Sequence, residues 1–174
     1  MLLSKKEFLK LQYFAGDIAT SLNFGDKLPA LNFVEYCSIK DAYGHHYFAD
    51  NDEHVVIGVL QCKKNGIALE RVILHEFRHV WQYRQQSLQK SLQFWRAFCK
   101  SHPNEPKFYK LAAHELDAVS FEHTKGNILM GTQVFELFPE LSVLEAMPEN
   151  QILEISLTIC KNMIRQDMLP ENYV

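Results

Sequence analysis

The segment Leu74-His75-Glu76-Phe77-Arg78-His79 carries the densest chemical capability in the chain. His75 and His79 are four residues apart, so on a helix they project from one face, one turn above the other. Two imidazoles so placed can both ligate one Zn²⁺, at about 2.0–2.1 Å each. Glu76 follows directly, about 100° further round the helix, where it can reach a water on the metal without being a ligand itself. The same two histidines could be core residues, but flanking Glu76 they favour metal. A catalytic zinc needs a third protein ligand and an open fourth position. Ala113-His114-Glu115-Leu116-Asp117-Ala118-Val119-Ser120-Phe121 offers one on a later helix. Glu115 stands 36 residues after His79, room for a connecting helix and a return. Ala118 would let the two helices approach closely. His114 is the rival ligand, and Asp117 and Glu122 also remain open.

These residues resemble a known group. His75-Glu76-Phe77-Arg78-His79 is similar to the HExxH of zincin metallopeptidases. Glu115-Leu116-Asp117-Ala118 resembles the ExxA element on the second helix of their glutamate-ligand branch, the gluzincins. Small bacterial and phage-type members share the order of strands, HExxH helix and glutamate helix. The resemblance spans roughly Leu31 to His123, about half the chain. It implies a zincin-like α+β fold, Zn²⁺ as cofactor and a peptide or protein substrate. His75, His79 and Glu115 would be the ligands and Glu76 the general base. It also implies that the Val55–Leu60 strand is an edge on which an extended peptide adds by β-pairing. Gluzincins usually stabilise the oxyanion with a Tyr or His, for which Tyr83, Tyr109, His114 and His123 are the candidates. One departure stands out. Many gluzincins place an Asp four residues after the ligand glutamate to orient the first histidine, and here that position is Val119. Asp117 lies about 200° round the helix from Glu115 and is no direct substitute.

The elements that must position these residues follow from hydrophobic period and turn residues. Ser4 to Leu22 has helical spacing (Phe8, Leu9, Leu11, Tyr13 or Phe14, Ile18), with Ser4 as cap and Glu7 three residues on. Asn23, Gly25, Asp26 and Pro29 break it. Leu31–Ile39, Tyr43–Ala49 and His54–Cys62 are expected as strands, with turns around Asp41–Gly44 and Asp50–Asp52. A long helix is predicted from about Ile67 to Gln86. Leu88–Lys100, Lys107 to about His123 and Asn150–Met168 are predicted as further helices, with joints at Pro103, Pro106, Gly126, Gly131, Pro139 and Pro148. Strands first and helices afterwards argue for an α+β class with a small, mainly antiparallel sheet.

With 174 residues, the chain fits one domain or at most two very small ones, and a single domain, residues 1–174, is expected. Hydrophobic residues at 47% and charged residues at 22% are ordinary for a soluble globular chain and exclude a disordered polar one. A net charge of −3 gives no basic excess for a nucleic-acid partner, and Lys5-Lys6 and Lys63-Lys64 read as solvated faces. No apolar run approaches the about 20 residues of a membrane span. The first residues, interrupted by Lys5, Lys6, Glu7 and Lys10, do not read as a secretory signal. Cys37, Cys62, Cys99 and Cys160 have no CxxC spacing, so reduced thiols and a cytoplasmic location are expected. Arg78 is expected to face water, and Trp81, Phe94, Trp95 and Phe98 to be core. His45-His46, beside Tyr43 and Tyr47, could line a substrate or second metal site, but a solvated turn is expected instead. Ile152–Met168 could cap the domain or serve as a dimer face.

The leading function is zinc-dependent hydrolysis of a peptide bond. A non-catalytic, zinc-stabilised protein-binding module of inhibitor or immunity type is the alternative, motivated by Val119. Hydrolysis of a non-peptide amide is a third option, because HExxH fixes the water activation and not the acyl group.

Overall fold

Residue types and spacing account for most element boundaries in the computed structural model, which describes residues 2–39, 42–49, 52–103, 105–124, 134–138, 144 and 147–174. The expected turn residues Asp41, Asp50 and Asn51 and the joints Gly126, Gly131 and Pro139 lie outside those. By its internal packing the chain divides into residues 1–81 and residues 82–174. The division falls inside one continuous helix, α3 (Leu69–Arg84).

The first unit opens with α1 (Lys5–Ser21), whose start is the expected capping box. Ser4 Oγ accepts the Glu7 N–H at 3.2 Å, and the Glu7 carboxylate accepts the Ser4 N–H at 2.7 Å. The helix stops where Asn23 takes φ +55°. There the Phe24 N–H reaches Ala19 O and the Asn23 N–H reaches Thr20 O, so two end carbonyls are satisfied. Its buried side is Leu11, Ala15, Ile18 and Ala19; of the alternatives Tyr13 and Phe14, Phe14 is half-buried and Tyr13 is exposed.

Three strands follow, β1 (Ala30–Val34), β2 (Gly44–Ala49) and β3 (Asp52–Gly58), in the order β1-β3-β2. β2 pairs antiparallel with β3, but β1 pairs parallel with it, so the sheet is mixed rather than mainly antiparallel. β3 is therefore the central strand, and the expectation that it offers a free edge is corrected: both its sides are hydrogen-bonded. The reason lies in Val55-Val56-Ile57, buried on both faces as central strands require. β3 is also shorter than predicted. It ends at Gly58, and Val59 and Leu60 begin α2 (Val59–Lys64). A Cβ on Gly58 would stand 3.0 Å from Cys37 N and 3.1 Å from Cys37 Sγ, so the segment after β1 crosses over this position. The chain turns away there, and Val59 and Cys62 are buried from a helix instead of a strand.

The second unit begins with the last turn of α3. After a short 3-10 turn (Gln86–Leu88) come α4 (Gln89–Ser101), α5 (Pro106–Leu111), α6 (Ala113–His123), α7 (Val134–Leu137) and α8 (Glu149–Arg165). The single helix expected from Lys107 to His123 is two. Ala112 stands at φ −63°, ψ 134° and is fully buried. Alanine is the strongest helix former, so packing, not propensity, imposes the break. Trp95 is fully buried, Phe94 and Phe98 are half-buried beside it, and Phe98 meets Phe108 of α5 at 5.6 Å. The tail after α8 returns to α5, where Tyr173 Oη donates to Lys110 O at 2.8 Å. The four cysteines are free thiols. Among the described residues, no helix is long and apolar enough to cross a membrane.

Candidate metal centre

α3 is buried over most of its circumference, at Val72, Ile73, Leu74, Phe77, Val80, Trp81 and Gln82. His75 and His79 are half-buried on it. Their rings are T-shaped with centroids 4.7 Å apart, and their Nε2 atoms face one another at 3.0 Å. A tetrahedral zinc with bonds of about 2.0–2.1 Å would place two nitrogens about 3.3 Å apart. The pair therefore fits a shared ion with a few tenths of an ångström of opening. Glu76 is buried at 6% exposure and flanked by β2. A Cβ added to Gly44 would lie 2.7 Å from Val72 Cγ1, 2.9 Å from Glu76 Cγ and 3.0 Å from Glu76 Oε1. Only glycine lets the strand come this close.

Glu115 sits in the first turn of α6, directly after the Ala112 break, with its N–H on Ala112 O at 2.9 Å. A carboxylate there is favoured by the helix dipole. One ligand atom each from His75, His79 and Glu115 lie within 4.8 Å of one another, so these three residues could hold a metal ion. Two imidazoles and a carboxylate form a donor set that suits zinc among other divalent ions.

The other ligand candidates have different surroundings. His114 is buried with Nε2 3.5 Å from Glu115 Oε1. Asp117, fully buried, accepts the Gln82 side-chain amide at 2.6 Å and the Val134 N–H at 3.1 Å. The same Gln82 amide donates to His114 O at 2.9 Å. Gln82, three residues after His79, thus ties the end of α3 to the helix that carries Glu115. The sequence reading gave it no role, although a glutamine one turn beyond the second histidine was a readable hint. Val119 is half-buried on α6 and supplies no polar atom from its side chain.

Two expectations are corrected. Arg78 is 1% exposed, not facing water; its guanidinium lies 4.0 Å over the Trp81 ring, the stacking a weakly hydrated planar cation permits. His45 and His46 are in strand β2, not in a turn. Strand alternation sends them to opposite faces. His45 stacks on Tyr47 at 5.7 Å, and burial pushes its imidazole pKa down. His46 stacks on His79 with centroids 6.5 Å apart.

Of the expected oxyanion donors, Tyr83 lies under the Arg96 guanidinium at 5.4 Å and His123 contacts Asp167 at 3.3 Å. Tyr109, half exposed, meets the His114 ring edge-on at 6.2 Å. Burial, with the Glu76 carboxylate adding to it, pushes the Cys37 thiol pKa up. No protein-family model, curated protein or solved structure matches the chain.

Proposed function

We propose that the chain is a zinc-dependent metallopeptidase of the zincin type, with a glutamate third ligand as in gluzincins. The observation that carries this reading is the convergence of His75, His79 and Glu115 beside a buried Glu76. His75, His79 and Glu115 hold the ion. Bound zinc would lower the pKa of its water to about 7 and polarise the substrate carbonyl. Glu76 takes the proton of the attacking water and returns it to the leaving amine. Gly44 keeps β2 against the Glu76 side chain and so limits where its carboxylate can swing. With β3 central, β2 is, among the described residues, the strand beside α3 that has an unpaired side in the sheet, and an extended peptide can add there. The buried general base favours catalysis over the inhibitor or immunity type of module, because a purely structural site has no use for Glu76.

Incubation of the zinc-loaded protein with a diverse peptide mixture, read by mass spectrometry, tests the proposal. Cleavage by wild type, lost by about 10²–10⁴-fold in Glu76→Gln with zinc retained, is the expected result. Undiminished cleavage in Glu76→Gln refutes it, and zinc binding with no cleavage by wild type favours the binding module.

A further inference from the structure

The sheet register sends a third histidine toward the proposed centre. Residues directly opposite in a sheet share a face, and His46 pairs with Val55 as Gly44 pairs with Ile57. Gly44, His46 and Phe48 therefore share one face of β2, and Phe48, at its far end, is 44% exposed. Gly44 abuts Val72 and Glu76. Val72, Glu76 and His79 form one stripe of α3 by their spacing of four and three. That stripe rises about 10 Å from Val72 to His79, while β2 advances about 7 Å from Gly44 to His46. The strand therefore runs beside the stripe, with Gly44 against its start and His46 beside its end. The ring geometry agrees: the His46 and His79 rings are 22° from parallel at 6.5 Å, and Phe48 meets His46 edge-on at 5.9 Å.

We infer that His46 is a further catalytic residue of the proposed peptidase, donating an N–H to the oxyanion from the β2 side. The inference rests on the metallopeptidase reading. As the water oxygen bonds to the carbonyl carbon, the carbonyl π pair moves onto its oxygen, which accepts the hydrogen bond from His46. No proton leaves His46. The water's proton goes to Glu76 and then to the amine, as the C–N bond breaks and the oxygen pair re-forms the carbonyl. An imidazole has an N–H to give whether neutral or charged, and the His46 ring stands between Phe48, edge-on at 5.9 Å, and His79, near-parallel at 6.5 Å. His114 has a different task, since its Nε2 lies against the Glu115 carboxylate.

The test uses the full chain loaded with Co²⁺, with binding read from visible absorption. Methylphosphonate serves as tetrahedral oxyanion probe and azide as a probe that contacts the metal alone. His46→Ala is expected to load cobalt and bind azide as wild type does, but to bind methylphosphonate about 10–100-fold more weakly. His46→Asn, which keeps an N–H donor, recovers most of that loss. Unchanged methylphosphonate binding in His46→Ala overturns the inference. So does a parallel loss of azide, or failure of both variants to load cobalt, since His46 is then part of the site's framework. A wild-type protein that takes up no cobalt fails at the metal reading itself, a result visible before any probe is added.

Discussion

Gln82 is the residue whose removal tests most sharply how α6 is held. Its side chain is 1% exposed and its amide donates to two buried acceptors, His114 O at 2.9 Å and an Asp117 carboxylate oxygen at 2.6 Å. A neutral hydrogen bond contributes about 0.5–1.5 kcal/mol and one to a charged group about 1.5–3 kcal/mol. Asp117 keeps the Val134 N–H in the variant, which softens the loss. Gln82→Ala should therefore cost about 3 kcal/mol, equivalent to about 6–12 °C in Tm for a chain of this size. Gln82→Glu keeps the shape but sets a carboxylate against Asp117, so it should be at least as destabilising at pH 7 and recover as the pH falls. Urea unfolding followed by circular dichroism, with chelator in every sample, separates this effect from metal binding. A lower midpoint with an unchanged m-value is expected. A loss below about 0.5 kcal/mol, within the range of ordinary surface substitutions, would refute the reasoning, as would a Gln82→Glu protein as stable as wild type at neutral pH.

Three further outcomes follow from residues away from α3. The Phe98 carbonyl, and after it the Glu149 carboxylate, raise the His102 pKa against the opposing effect of burial. Proton uptake then favours the folded state, so the contribution is full below the unfolded value of about 6.5 and is lost as pH rises through the raised one. His102→Ala should narrow stability relative to wild type more at pH 5.5 than at pH 8.5 in urea titrations; equal gaps would contradict this. Tyr173→Phe removes the donor to Lys110 O and should cost about 0.5–1.5 kcal/mol by the same assay, with no change meaning that water replaces it freely. Burial pushes the thiols of Cys62, Cys99 and Cys160 up to about 11. Native protein should thus react far more slowly with a disulfide reagent at pH 7.5 than unfolded protein, which should release four thiols; three or more fast native thiols would be inconsistent with the packing.

Local chemistry was the legible part of this chain. The Ser4–Glu7 cap, the Asn23 stop and the His75/His79 face depend on neighbours three to five residues away, and sequence displays such neighbours directly. Glu115 and His114 are both third-ligand candidates in the sequence, and Glu115 is the one with a ligand atom within 4.8 Å of those of the two histidines. What depends on distant contacts was misread. Val59 and Leu60 look like strand continuation, and only the crossing of Cys37 over Gly58 turns them into helix. Nothing about Ala112 predicts a break. Arg78 is charged and so reads as exposed, but Trp81 covers it. The parallel β1–β3 pairing is set by which strand takes the centre, for which the continuous apolar run Val55-Val56-Ile57 was the available clue.

Whether His75, His79 and Glu115 together hold one metal ion is tested most directly by elemental analysis. Wild type, His79→Ala and Glu115→Ala would be purified without added metal, reconstituted with zinc and dialysed. One zinc per chain in wild type is predicted, with affinity in both variants weakened beyond the about 10–100-fold of an outer-shell change. No zinc in wild type after reconstitution, or equal zinc in all three proteins, would contradict it.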